Sequence, residues 1–414
     1  MDAPENNKDL SGLARSIDAL FDGAGEGTQP TAQEADLPAD PSGSPPAQAS
    51  GDASADPLVD PPADPPGVAA GEEMVWEAVS SERPSRADEA DPEAFREAVE
   101  TFLASPPLER GGQASALRDH AMALRDANML DALADAVERL TLGSGAPPDE
   151  ACIAMARQLL SPGTTSRLVA RLGSTRDEER REQLMQVVTR MGHEMALAIA
   201  DALSDTSDRF ARRSFMEAMV ALGPEAMPVL ESMMEDGRWF VVRNAVAILG
   251  EVGGERAVER ITTALAHTEP KVRREALLSL AKVGGEDAGL LVYGMIEDPD
   301  PDVRLAAAMA AGALKVERAL KPLLSLLEGE NDEDVVVGVL GALGQLGDPG
   351  AVNAIEKRAV PSLFSRPPAR VRIAAYRALH NIGTPHARQV LEDAADDKDP
   401  EVRAAVRNLL AAGS

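Results

Sequence analysis

Aromatic side chains are scarce in this sequence: two Trp, two Tyr and seven Phe make up 3% of 414 residues. So few Tyr and Trp leave little of the composition that favours strands. Cysteine is rarer still. Cys152 stands alone, which excludes an intramolecular disulfide framework, a cysteine-based zinc site and an iron–sulfur cluster. Basic residues number 41 against 69 acidic ones, a formal net charge of −28. Phosphate contacts need clustered Lys and Arg, so no nucleic-acid partner is expected. No apolar run approaches the roughly 18 residues needed to span a bilayer. The start, Met1-Asp2-Ala3-Pro4-Glu5, lacks the basic flank and apolar core of a signal peptide. These absences lead us to expect an acidic, cytoplasmic protein without a membrane span. Abundant Ala and a large excess of Arg over Lys fit a GC-rich, bacterial source.

Charge and proline are unevenly distributed. Residues 1–90 carry 19 Asp/Glu against 4 Lys/Arg, together with 12 of the 30 prolines. The stretch from Thr28 to Ala70 is almost entirely Ala, Pro, Asp, Gly and Ser. Such a segment cannot bury enough apolar area to offset a backbone ordering cost of about 1–2 kcal/mol per residue. A disordered acidic N-terminal arm over residues 1–90 is therefore predicted. Two islands interrupt it. Leu10, Leu13, Ile17, Leu20 and Phe21 form one apolar stripe at helical spacing over residues 10–21, and Met74, Val75, Trp76 and Val79 cluster within residues 72–80. Each island reads either as a tethered helix for a partner's groove or as a piece that packs on the protein's own array.

From Asp91 onward the periodicity is continuously helical. Asp91-Pro92-Glu93 supplies an N-cap, a proline at the first helical position and an acid in the first turn. The chain also resembles itself. Val272-Arg273, Val303-Arg304, Val371-Arg372 and Val402-Arg403 each open an apolar pattern continued four and eight residues later. Looser copies begin at Arg180, Ala211, Val241 and Val335, so eight anchors recur at intervals of 30 to 36 residues. A second apolar pattern, such as Glu255–Ala266 or Val316–Leu327, lies between anchors. A lone helix pair of this kind cannot bury both stripes, whereas stacked pairs share one core. The class is all-α. Ala306, Ala307, Ala310, Gly338 and Gly341 are expected at the closest helix contacts.

The run Asp300-Pro301-Asp302-Val303-Arg304, its copy Asp399-Pro400-Glu401-Val402-Arg403, and the ends Leu249-Gly250-Glu251-Val252-Gly253 and Leu343-Gly344-Gln345-Leu346-Gly347 resemble the HEAT-repeat family. The likeness is to the short form also found in phycobilisome-lyase-like bacterial proteins. It implies a right-handed α-solenoid of stacked antiparallel helix pairs over residues 176–414, with residues 91–175 as a degenerate helical N-terminal cap. In the family, an Asp in the inter-helix turn and an Arg six residues later build a ladder between repeats. Asp298/Arg304 and Asp397/Arg403 match that spacing. Arg181, Arg212, Arg273 and Arg372 have the Arg without the Asp, and Val336 has lost the Arg. The repeat at residue 335 is therefore expected to rely on apolar packing.

Residues that carry chemistry are sparse. Of five histidines only His193-Glu194 forms the His-Glu pair that HEAT-like di-iron hydroxylases use several times, and no phosphate-binding glycine loop or nucleophile elbow is present. Cys152 lies among Ala151, Ile153 and Ala154 and reads as a small core residue. Candidate interaction residues are Trp239 with Arg243, and Leu363 with Phe364 in the longest inter-anchor interval. In the arm they are Leu13, Ile17, Leu20 and Trp76. The pairs Arg212-Arg213 and Arg273-Arg274 read as ladder members, or as a site for an acidic partner or for the protein's own acidic tail. The expectation is a non-catalytic, monomeric scaffold that binds an unidentified protein, without metal or cofactor, through its concave surface or its arm. Two other readings stand beside it: a bilin-lyase-like enzyme or subunit, and an autoinhibited adaptor with residues 10–21 in its own groove.

Overall fold

The structure is a computed structural model that describes residues 86–143, 147–361 and 367–412. Residues 1–85 of the acidic arm, with its islands at 10–21 and 72–80, and Leu363 and Phe364 lie outside the described residues. The last part of the arm differs from the expectation, because Arg86–Glu89 forms a short 3₁₀ helix packed on Arg110–Asp126. Those that are described form helices joined by short turns, with no strand among them. Each of the eight anchors opens a helix: Glu178–Met191, Arg209–Leu222, Trp239–Val252, Pro270–Val283, Pro301–Ala313, Glu333–Leu346, Ala369–Ile382 and Pro400–Ala412. A shorter antiparallel helix precedes the next anchor, for example Glu255–Ala264 or Leu320–Gly329. Upstream, Pro92–Ala104, Arg110–Asp126, Leu130–Leu142, Glu150–Leu159 and Pro162–Ser174 continue the stack.

Local chemistry accounts for the helix boundaries. The Asp91 carboxylate accepts the backbone N–H groups of Glu93 at 2.9 Å and Ala94 at 3.1 Å. Asp300 and Asp332 do the same for the helices they precede. Such caps contribute about 1 kcal/mol each. The two glycines of each Leu-Gly-x-Val/Leu-Gly end do separate jobs. Gly253 and Gly347 stop their helices at positive φ (67° and 76°), a conformation costly for residues bearing a Cβ. Gly250 and Gly344 permit close approach: a Cβ on Gly250 would lie 2.6 Å from the Ser279 Cβ, and one on Gly344 would lie 2.8 Å from the Ala378 Cα.

From residue 239 to residue 382 successive anchor helices pack extensively on one another, whereas the second helices between them scarcely meet. An array whose helices are close on one side and apart on the other curves toward the close side. The anchor helices therefore form the concave wall of the solenoid. Ala306, Ala307 and Ala310 are buried as expected for contact residues, and Gly338 lies against the Leu305 side chain. Gly341 differs from the expectation. A Cβ there would meet nothing within 4 Å, so this glycine opens space instead of closing a contact.

Candidate functional site

Arg273, Arg304 and Arg372, at the second position of their anchors, cross-link the repeats, but not by the pairing that the six-residue spacing suggests. The Asp298 carboxylate receives Arg273 of the preceding repeat, with Nε at 2.9 Å and Nη2 at 2.8 Å. Arg304 uses the Asp298 backbone carbonyl (3.0 Å) and sends Nε and Nη2 forward to Glu330 at 2.9 and 2.7 Å. Arg372 reaches Asp397 in the same forward sense, and Arg403 donates to the Asp397 carbonyl at 2.6 Å. Each rung thus joins an arginine to the acid of the following turn, 25 or 26 residues later. Arg273 and Arg372 are full members although their own turns lack the Asp.

Glu330 is a rung that the sequence reading missed, and it ties the 335 repeat to its predecessor by an ion pair. Five residues before the anchors stand Asp298, Glu330 and Asp397, so alignment of the copies on that position would have found it. Past Val336, Arg358 takes over and donates to the carbonyls of Leu327, Glu328 and Glu330. The Glu330 carboxyl is pushed up by burial. The N–H groups of Asp332 and Asn331 and the Arg304 guanidinium outweigh that and leave it below the usual range.

These rungs fix the orientation of the concave wall, which holds a groove of about 420 Å³. Its floor is Leu305, Met309, Val337, Gly338, Gly341 and Ala374, from three successive anchor helices. Gln345, Arg377 and Asn381 line it together with Arg274, Asp302, Asp334 and Arg370. Arg370 is paired with Asp334 across the repeat boundary. The missing Cβ of Gly341 deepens the floor. Of these residues only Arg274 was singled out as a site from sequence, because a small or apolar residue on a helix gives no sign of whether it faces a neighbour or open space.

The structure places Trp239 half-buried on the same wall, upstream of the groove. Arg243 Cζ lies 5.9 Å from its ring centre, and Nζ of Lys271, from the next repeat, lies 4.8 Å away. Trp239 and Arg243 are therefore together as expected, and Lys271 is an additional member. Cys152 is buried, with Arg110 Nη1 at 3.2 Å from its sulfur. Burial pushes the thiol up, despite the nearby guanidinium. His193 and Glu194 are exposed at a helix start. Among the described residues no three His, Cys, Asp or Glu side chains converge in a way that could hold a metal ion, and no helix is long and apolar enough to cross a membrane.

Two family models match the chain. HEAT repeats match residues 290–362 and 357–411, and the PBS lyase HEAT-like repeat matches residues 241–267. Among solved structures, an engineered protein is 18% identical over 78% of this chain and 94% of its own, with a TM-score of 0.35. Kap121p is 12% identical over 77% of this chain at a TM-score of 0.43, and the match spans 39% of its length. The complex of CpcE and CpcF of phycocyanin lyase from Nostoc sp. is 22% identical over 62% of this chain and 95% of that one, at a TM-score of 0.30. Every score is below 0.5, so function is not carried across from any of them. No curated protein matches the sequence.

Proposed function

We propose that this HEAT-repeat protein is a non-catalytic scaffold that holds a segment of another protein in the groove of its concave wall. The observation behind this reading is the groove itself, with an apolar floor and charged rim built from successive repeats. Neighbouring helices stand about 8–10 Å apart, so a floor drawn from three of them extends about 20 Å. That length suits a peptide segment better than a compact small molecule. Its volume falls within the range of about 300–1,000 Å³ typical of ligand sites. The arginine rungs hold the helices beneath it in register, so the surface is formed before a partner arrives and less ordering cost falls on binding.

The test is a substitution that fills the groove without disturbing the fold. Gly341→Trp places a large ring where a Cβ meets no neighbour. Proteins captured by the full-length wild-type chain and by Gly341→Trp are compared quantitatively. The reading predicts at least one protein whose recovery falls about tenfold with the variant while the melting temperature holds. Identical recovery from both chains would sink it.

A further inference from the structure

Upstream of the groove the concave wall changes character from apolar to cationic. Arg213, Arg243 and Arg274 occupy the third position of three successive anchors. Arg274 lines the groove rim beside Leu305 and Val337, which hold that same position in the next two repeats. The repeat therefore carries one register from a cationic row into an apolar one. Lys271 stands over the Trp239 ring with Arg243 at its other reach. The described residues offer Arg243 only that ring and the Asn244 Oδ1 at 3.0 Å, and Lys271 only the ring.

This arrangement works against helix stability. Trp239–Val252 and Pro270–Val283 begin without a side-chain cap, and cations at a helix start oppose its dipole. The neighbouring anchor helices begin instead on capping aspartates, Asp208 and Asp300. Positive charge also accumulates behind the row. Burial and then the charges of Arg243 and Arg209 hold the Arg212 guanidinium below its ordinary value. The local acids offset the row only in part: Glu217 divides its carboxylate between Arg213 of the row and Arg181, and Glu251 binds Lys282. A cationic, aromatic strip in a chain of net charge −28 calls for an anionic occupant.

We propose that this strip is a docking surface for the protein's own acidic arm, and that the tract from Asp52 to Asp64 lies across Arg213, Arg243, Lys271 and Arg274. That tract carries Asp52, Asp56, Asp60 and Asp64, one acid every four residues, with Leu58 and Val59 at its centre. In an extended chain residues four apart are about 13 Å apart, and neighbouring helices are about 8–10 Å apart. Three consecutive acids therefore span about 26 Å against about 20 Å for the three helices that carry the row, and the swing of the arginine side chains covers that difference. The tether is long enough. Helices 92–104, 130–142, 178–191, 209–222 and 239–252 pack in sequence, four steps or about 40 Å. The 22 residues from Asp64 to Arg86 span up to about 75 Å when extended. Tethering also supplies a local concentration of order millimolar, so individually weak contacts suffice. The docked tract guards the wall beside the groove and does not depend on what the groove binds.

The experiment uses the full-length chain with p-benzoylphenylalanine in place of Leu58. Ultraviolet crosslinking is followed by peptide mapping of the monomer band. The expected crosslinks fall within residues 209–283. Their yield drops at least tenfold in Lys271→Glu, an exposed change, and in Arg243→Glu/Lys271→Glu. The yield also drops in wild type at 1 M salt, where the screening length is about 3 Å. Adding Asp56→Lys/Asp60→Lys to the double variant restores it. Crosslinks that map elsewhere, that occur only in a dimer band, or that survive Lys271→Glu at full yield overturn the proposal. Capture by the Gly341-lined groove is measured separately, so either reading can fail alone.

Discussion

Removal of the Asp298 carboxylate tests the ladder at its best-defined rung. Asp298 and Arg273 side chains are 6% and 11% exposed, and two hydrogen bonds of 2.8 and 2.9 Å join them. Asp298→Ala leaves a buried guanidinium with two remaining acceptors, the carbonyls of His267 at 2.8 Å and Thr268 at 3.0 Å. Breaking one side of a buried pair costs about 3–5 kcal/mol, and the two carbonyls place this case at the lower end. Asp298 also accepts the Asp300 N–H at 2.9 Å, a bond contributing about 1 kcal/mol. The expected loss is therefore about 3–4 kcal/mol. Because each repeat touches only its neighbours, the loss is local. Native-state hydrogen exchange reads it as faster exchange over residues 270–313, with residues 178–222 unchanged. Arg273→Met/Asp298→Leu, which removes both charges and keeps the volume, is expected near wild type. A loss below about 1 kcal/mol for Asp298→Ala, or an equal loss at residues 178–222, refutes the ladder as the element that joins the repeats.

Four further outcomes follow from the same geometry. Gly312→Ala brings a Cβ within 2.7 Å of the Ala342 Cα, a backbone clash expected to cost about 1–3 kcal/mol in urea unfolding. Gly341→Ala meets nothing and should stabilise by up to about 1 kcal/mol through helix propensity. Acid weakens the rung at Glu330. Its carboxyl is below the usual range when folded, so its contribution is fully present above the ordinary Glu value of about 4.3. That contribution is lost as pH falls through the folded value, which exchange of residues 330–346 at pH 6 and pH 3 would show. Cys152 is buried and its thiol is raised, so a disulfide reagent should label the native chain at least a hundredfold more slowly than the urea-unfolded one.

How much of this was legible in sequence depends on whether a residue's role is local. The anchors were, because an apolar residue returning four and eight positions on marks a buried helix face wherever it occurs. Caps such as Asp91 and Asp300 were too, since they bind N–H groups two and three residues away. The ladder was half legible. Arg304 and Asp298 were found as members, but their ion-pair partners, Glu330 and Arg273, lie across a repeat boundary, and the six-residue spacing marks a carbonyl contact. Arg110 beside Cys152 is 42 residues distant, beyond any motif. The buried Glu138, which holds Arg171 and Arg180 together, was hidden in an ordinary helical pattern. Glycine was the hardest to read. Gly312 and Gly344 are spaces filled by the next backbone, whereas Gly341 is a space left open.

The measurement that tests the central claim most directly is site-specific crosslinking from the groove floor. With p-benzoylphenylalanine at Val337 on the concave wall, or at exposed Glu259 on an outer helix, the full-length chain is irradiated alongside the proteins it captures. The scaffold reading predicts one defined adduct from position 337, absent from position 259 and lost when Gly341→Trp is added. Equal adducts from both positions, or an adduct from 337 that persists with the groove filled, contradicts it.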